Sequence, residues 1–135
     1  MTATMSDAAR ELFAHREYVT LATIEADGQP HLSVVWATLD GDDILVSTVE
    51  GRRKHVNLVR DPRATVLLMP HGRPWIYLEV RGHVTMTREG GRELIETLSR
   101  KYTQDDRYSF DDGTDNVRVV VRITPYKVIE YDGLA

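Results

Sequence analysis

Apolar and polar positions change period along this chain, and the changes mark its elements. From about Ser6 to Arg16, Ala9, Leu12 and Phe13 recur at helical spacing behind candidate caps Thr4 and Ser6, which predicts an amphipathic helix. Tyr18 to Ile24 is rich in β-branched and aromatic residues, and Asp27-Gly28 supplies a hairpin signal before a second apolar run, Leu32 to Leu39. A second Asp-Gly, at positions 40–41, leads into Ile44 to Thr48. Gly51 then opens a basic segment, Arg52 to Arg60, which reads as a short helix with Val56 and Val59 turned inward and Asp61-Pro62 as its stop.

Strand signals resume at once. Ala64 to Met69, Trp75 to Val80 and, after Gly82, His83 to Thr87 read as a meander, with Pro70, Gly72 and Pro74 in its first turn. Leu94, Ile95, Leu98 and Tyr102 return to helical spacing and predict a helix from about Glu89 to Tyr102. Val117 to Ile123 and Val128 to Tyr131 add two strands hinged at Pro125. Six or seven strands strung as antiparallel hairpins, with about three helices, predict a mainly β (α+β) fold. A closed or nearly closed small barrel fits best, because closure removes exposed edges. A parallel doubly wound sheet would need a helix after nearly every strand.

Composition adds limits. At 135 residues and 41% hydrophobic content, residues 1–135 fit one domain with a real core. The absence of cysteine excludes disulfides, thiolate nucleophiles and cysteine metal sites. The N-terminal MTATMSDAARELF lacks the basic start and apolar run of a signal peptide, and no stretch is apolar enough to span a bilayer, so a cytoplasmic protein with no membrane partner is expected. A net charge of -4 argues against a nucleic-acid partner. Yet Arg52, Arg53, Lys54, His55, Arg60 and Arg63 stand against only Asp61, a basic island suited to a small anion.

That island is the most informative stretch. A helix beginning near Gly51 would turn free N–H groups and its positive end outward beside Arg52, Arg53 and Lys54, which together would form a phosphate site, and Lys54 and Asn57 share a helical face. The alternative is a solvated basic surface helix. Nothing resembles a Gly-x-Gly-x-x-Gly loop, a Walker loop or a His-Glu-x-x-His helix, and the five histidines lack paired ligand spacing, so no metal is expected. The acidic run Asp105, Asp106, Asp111, Asp112, Asp115 lacks the order of a Ca²⁺ loop and reads as a solvated loop able to cover a groove.

The order LATI-(x)2-DGQPHLSVVW, then DGDDILVSTVEGRRKHVNLVRDPRATVLL, then WIYLEVRGHV resembles the pyridoxamine-phosphate-oxidase-like split-barrel superfamily, and within it the short deazaflavin-dependent reductases. The likeness covers roughly residues 17 to 88, and its specific part is the Ser-Thr, Gly, basic, Lys, Asn, Arg-Asp-Pro-Arg order. It implies a six- to seven-stranded antiparallel split β-barrel that pairs as a homodimer around the cofactor. It further implies that Arg52, Lys54 and Asn57 take the cofactor's phosphate, with Arg53 nearby and Ser47 and Thr48 at the preceding strand end. His31, Ser33, Val35 and Trp36 would run beside the ring system, and Tyr77 would approach from a later strand. Each has a plainer reading: Trp36 as a core or interface aromatic, Ser47 and Thr48 as a strand end, Tyr77 as cross-strand packing.

Two departures bear on the cofactor. Ser33 stands where pyridoxamine phosphate oxidases carry a phosphate-gripping arginine, and the ending Tyr131-Asp132-Gly133-Leu134-Ala135 lacks their Arg-x-His. Fewer basic residues then remain for a phosphate dianion, which favours the diester of the deazaflavin coenzyme F-420, with FMN as the alternative. The activity so implied is hydride transfer to a conjugated or quinone-like small-molecule acceptor, with no side chain standing out as acid or base. The rivals are an FMN-dependent reductase or oxidase and a non-catalytic cofactor carrier.

Overall fold

The computed structural model describes residues 2–132; the expectation for Gly133 to Ala135 lies outside them. The chain runs α1 (Asp7–Ala14), β1 (Val19–Ile24), β2 (Pro30–Val35), β3 (Ala37–Asp40), β4 (Asp43–Val49), α2 (Arg53–Arg60), β5 (Arg63–Leu68), β6 (Ile76–Thr87), α3 (Gly91–Thr103) and β7 (Arg118–Asp132). The seven strands form one antiparallel sheet in the order β2-β1-β5-β6-β7-β4-β3. It is a curled half-barrel with three helices, the mainly β split barrel that the sequence implies. No helix among the described residues is long and apolar enough to cross a membrane.

The run from Leu32 to Leu39 is two strands rather than one. It breaks at Trp36, and β2 and β3 occupy opposite edges of the sheet. One residue therefore joins the two edges. With about 3.8 Å between consecutive Cα atoms, the edges must meet there, and the sheet has to curl to allow it.

Alternation sorts the strand residues into two layers. Val19 and Leu21 of β1, Ile44 and Val46 of β4, Val66 of β5, Leu78 and Val80 of β6, and Val121 and Ile123 of β7 fill the inner face, where α1 adds Ala9 and Phe13. The opposite parity of β4 and β7 is covered by α3, whose Leu94, Leu98 and Tyr102 pack with Trp36, Leu45 and Val120. The start of α1 is fixed by Ser6, whose Oγ accepts the Ala9 N–H at 3.1 Å.

Three further expectations are corrected. Val56 and Val59 do not turn inward: they are 43% and 67% exposed, while Asn57 and Leu58 are buried. Asn57 donates to Thr23 Oγ1 at 3.0 Å, which rotates α2 so that Leu58 meets the core. Trp75–Val80 and His83–Thr87 are not separate strands, and neither are Val117–Ile123 and Val128–Tyr131. β6 and β7 are each continuous, and the register shift between Arg81 and Gly82 absorbs Pro125 opposite Gly82. A bulge lets a residue without an N–H sit inside a long ladder.

Gly82 is required there by close approach. A Cβ on it would lie 2.6 Å from Ile123 Cγ2 and 2.7 Å from Thr124 O. Gly82→Ala should lower the denaturant midpoint with an unchanged m-value, at a cost of about 1 to 3 kcal/mol. A midpoint equal to that of the wild type would show that β7 yields freely at the bulge.

Candidate functional site

Where the sheet edges meet, four elements converge. Val34, Val35 and Trp36 come from the seam, Ser47 from the end of β4, Arg52 and Lys54 from the start of α2, and Arg118 from the start of β7. With Ile95 and Leu98 of α3 and Tyr108 of the following loop, they line an open cavity of about 210 Å³. Ser47 and Arg118 share the parity of Leu45 and Val120, so the cavity lies on the α3 side of the sheet.

The local sequence explains the placement of each group. Gly51, at φ +89°, makes the left-handed turn that starts α2, and its N–H donates to His55 Nδ1 at 3.1 Å. Arg52 is the N-cap and supplies no side-chain acceptor, so the first turn keeps free N–H groups and its partial positive charge. Burial holds the Lys54 ammonium below its usual range, and the positive charges of Arg52 and Arg118 push it the same way. No carboxylate pairs with Arg52 or Lys54 among the described residues.

Arg118 is anchored differently. Its Nε and Nη2 donate to Asp111 at 2.8 and 3.0 Å, Nη2 also reaches Tyr108 Oη at 3.2 Å, and Nη1 donates to Ser47 Oγ at 3.3 Å. Its guanidinium lies 4.9 Å from the Tyr108 ring centre. Hydrogen bonds from Arg118, with support from Asn116, hold the Asp111 carboxyl below the usual carboxylate range. The acidic run thus folds back on the cavity through one residue, Asp111.

The seam itself is clamped by α3. Trp36 stacks on Tyr102 with ring centres 5.3 Å apart and planes 7° apart, and Tyr108 meets Trp36 edge-on at 6.4 Å. Tyr102 Oη accepts the Ala37 N–H at 3.1 Å and donates to Glu17 O at 2.7 Å. Lys101 Nζ donates to the carbonyls of Phe13 and Ala37, the latter at 2.6 Å. Burial lowers Lys101 to about 8, where a neutral amine can still donate to both carbonyls.

Of the residues expected at a cofactor site, Val35, Trp36, Ser47, Arg52 and Lys54 line this cavity. Arg53 points elsewhere, 3.8 Å from Glu25. Asn57 lies buried beneath α2, and Tyr77 stacks on Tyr131 at 4.9 Å. His31 and Ser33 continue the Val35 face of β2 away from the cavity. His31 Nδ1, Ser33 Oγ, Thr48 Oγ1 and Asn57 Oδ1 are buried without a hydrogen-bond partner among the described residues, a state that ordinarily costs about 1 to 3 kcal/mol per group. Arg118 and Tyr108 escaped the sequence reading, and Ile95 and Leu98 entered it only as the apolar face of a helix. Only the alternation of Arg118, Val120 and Arg122 against Val119, Val121 and Ile123 could have placed Arg118 opposite the core face.

A half-barrel whose closing seam holds a cationic, aromatic-walled cavity is a split barrel of the kind that binds flavin-type cofactors. The sequence profile of the pyridoxamine 5'-phosphate oxidase family matches residues 5–132, and the chain belongs to that family. Among solved structures, an F-420 reductase is 22% identical with a TM-score of 0.81, the match covering 93% of this chain and 98% of that one. A conserved hypothetical protein from Mycobacterium tuberculosis is 27% identical with a TM-score of 0.77, covering 96% and 86%. HupZ of Group A Streptococcus shares the fold at 13% identity and a TM-score of 0.70, covering 94% of each chain.

The seam clamp makes a pH prediction. With Lys101 at about 8 in the folded chain and near 10.4 when unfolded, the unfolded chain binds more protons between those values, so stability must rise with pH across that window. Wild type should therefore gain stability relative to Lys101→Met as pH rises from 8 to 10, read from urea midpoints. A difference that stays flat would mean that Lys101 keeps its proton throughout.

Proposed function

We propose that this chain is a cytoplasmic, homodimeric deazaflavin-dependent reductase that passes a hydride from coenzyme F-420 to a conjugated or quinone-like small molecule. The observation that carries the reading is the convergence of Arg52, Lys54 and Arg118 on one cavity at the start of α2, with no carboxylate partner for the first two among the described residues. Uncompensated cations, Lys54 partly buried and Arg52 exposed, beside free helix N–H groups are matched by an anion such as a phosphate.

In this reading Lys54 and Arg52 grip the phosphate, and Ser47 Oγ offers a further hydrogen bond. Trp36, held flat by Tyr102, gives the adjoining ring system an apolar wall. When bound, the cofactor supplies the hydride; the protein's task is to orient it and keep water out. A cavity of about 210 Å³ is smaller than the 300 Å³ or more typical of whole-ligand sites, so enclosing the ring needs a second surface. Exposed apolar residues stand beside it. Val34 and Leu67 flank Thr20 in one row across β2, β1 and β5, and Leu32, Met69 and Tyr18 extend the patch. A second copy seated on this face completes the groove.

Arg118 favours a second reading, FMN. A third cation at the cavity partly replaces the grip that Ser33 cannot give, and a compact phosphate dianion would use it.

Replacing Lys54 with Ala should weaken cofactor binding about ten- to a hundredfold while the fold persists, as expected for the loss of one charged hydrogen bond. Quenching of Trp36 fluorescence in a Trp75→Phe background reads the affinity. Unchanged affinity in the folded variant would remove the phosphate site. The wild-type protein should purify colourless from a host without deazaflavin and bind FMN at least about tenfold more weakly than F-420. Tighter binding of FMN transfers the assignment to the flavin, and tight binding of F-420 without reduction of any acceptor in a broad panel makes the protein a carrier.

A further inference from the structure

The cation that separates the two cofactor readings, Arg118, does not present its charge freely. Two of its three nitrogens hold Asp111, and the two side chains are 8% and 9% exposed. Asp111 is fixed in turn by Asn116 Nδ2 at 2.9 Å and approached by Arg92 Nη1 at 3.5 Å. Arg92 has its own carboxylate, Glu96, at 3.0 Å. Around the cavity, then, Arg52, Lys54, Arg118 and Arg92 face Asp111 and Glu96: four cations against two carboxylates, a local balance of two positive charges. Without Asp111 it would be three.

We propose that Asp111 is a specificity-determining residue: by pairing with Arg118 it withholds one positive charge from the cavity and so lowers the advantage of a doubly charged phosphomonoester over a singly charged phosphodiester. This rests on the reading of the cavity as a phosphate site. The geometry lets Asp111 do so without spoiling the pocket wall. Arg118 keeps Nη1 on Ser47 and its face on Tyr108, so it remains available as a hydrogen-bond donor while its charge is largely cancelled. Lys54 and Arg52 stay uncompensated and supply the attraction that either phosphate uses. A buried arginine–carboxylate pair adds little to stability compared with well-packed apolar groups, so a role in setting local charge gives it a purpose that stability does not.

FMN and its phosphate methyl ester test this directly, since they share ring and ribityl chain and differ by one charge on the phosphate; riboflavin reports the ring alone. At an effective dielectric constant of about 20, one charge some 8 Å away changes binding of a unit charge by more than tenfold. Asp111→Asn should therefore raise the affinity for FMN relative to the ester by about tenfold. Asp111→Glu, which keeps the charge, should leave the ratio within about threefold of wild type. Arg118→Gln, which leaves Asp111 charged, should move the ratio the opposite way, and the double variant Asp111→Asn/Arg118→Gln, whose net charge equals that of the wild type, should bring it back.

An unchanged ratio in folded Asp111→Asn overturns the proposal. If that variant does not fold, the comparison of Arg118→Gln with the double variant changes the same single charge, and equal ratios there overturn it as well. Lys54→Ala separates the phosphate site from the role of Asp111. If it costs FMN and its ester their advantage over riboflavin while the Asp111 variants change nothing, the phosphate site stands and the specificity role falls. If neither phosphate ligand binds better than riboflavin to the wild type, the phosphate reading falls first.

Discussion

One residue holds the two edges of the sheet together. β2 and β3 lie at opposite ends of the strand order, yet only Trp36 separates them in the chain. The sheet must therefore curl until its edges touch, and the point of contact has to be sealed, because the backbone at a sheet edge carries unpaired polar groups. Tyr102 and Lys101 seal it. They satisfy the Ala37 N–H and the carbonyls of Glu17, Phe13 and Ala37, and the Tyr102 ring supports the indole of Trp36. The same closure brings the end of β4, the start of β7 and the start of α2 within reach of one another, and the cavity is the gap left between them.

The electrostatics of that gap run against those of the molecule. The whole chain carries a net charge of -4, while the seam gathers cations. Holding an ammonium partly buried beside guanidinium groups is unfavourable: burial first, and then the charges of Arg52 and Arg118, lower the basicity of Lys54. Folding tolerates it because only Arg118 and Asp111 are deeply buried, and they neutralise each other. The remaining cost is concentrated at Arg52 and Lys54, where the proposed phosphate would relieve it.

Much of this was legible in the sequence, for identifiable reasons. Elements with one apolar face emerged from their period: α1, β1, β4 and α3 lie within a few residues of their predicted spans, because one pattern serves both the local geometry and the core. Failures arose where two patterns compete. In α2, Val56 and Val59 offer an apolar face as plausible as that of Leu58, and only the bond from Asn57 to Thr23 decides between them. Gly82 and Pro125 read as strand breaks singly and cancel as a bulge when paired, a fact of register that no local window contains. The site divides in the same way. Arg52 and Lys54 stand in one basic run, whereas Arg118 joins Ser47 from 71 residues away, and nothing local marks it. Trp36 was noticed, but its part in joining the sheet edges follows only from the strand order.

The position of β7 has a consequence for how the chain is made. This strand spans Arg118–Asp132 and lies between β6 and β4 in the interior of the sheet. A ribosome that has released everything before it has delivered two incomplete pieces: a ladder of β2, β1, β5 and β6 open along β6, and the short β3–β4 hairpin open along β4. Each exposes a bare hydrogen-bonding edge and part of an apolar face, and neither can find its partner strand in what has already emerged. Assembly of the sheet therefore waits until β7 has emerged. Ligand sites made of residues far apart in sequence form late for the same topological reason. In this protein the nascent chain is most exposed to edge-to-edge misassociation in the interval before residue 118 clears the exit tunnel.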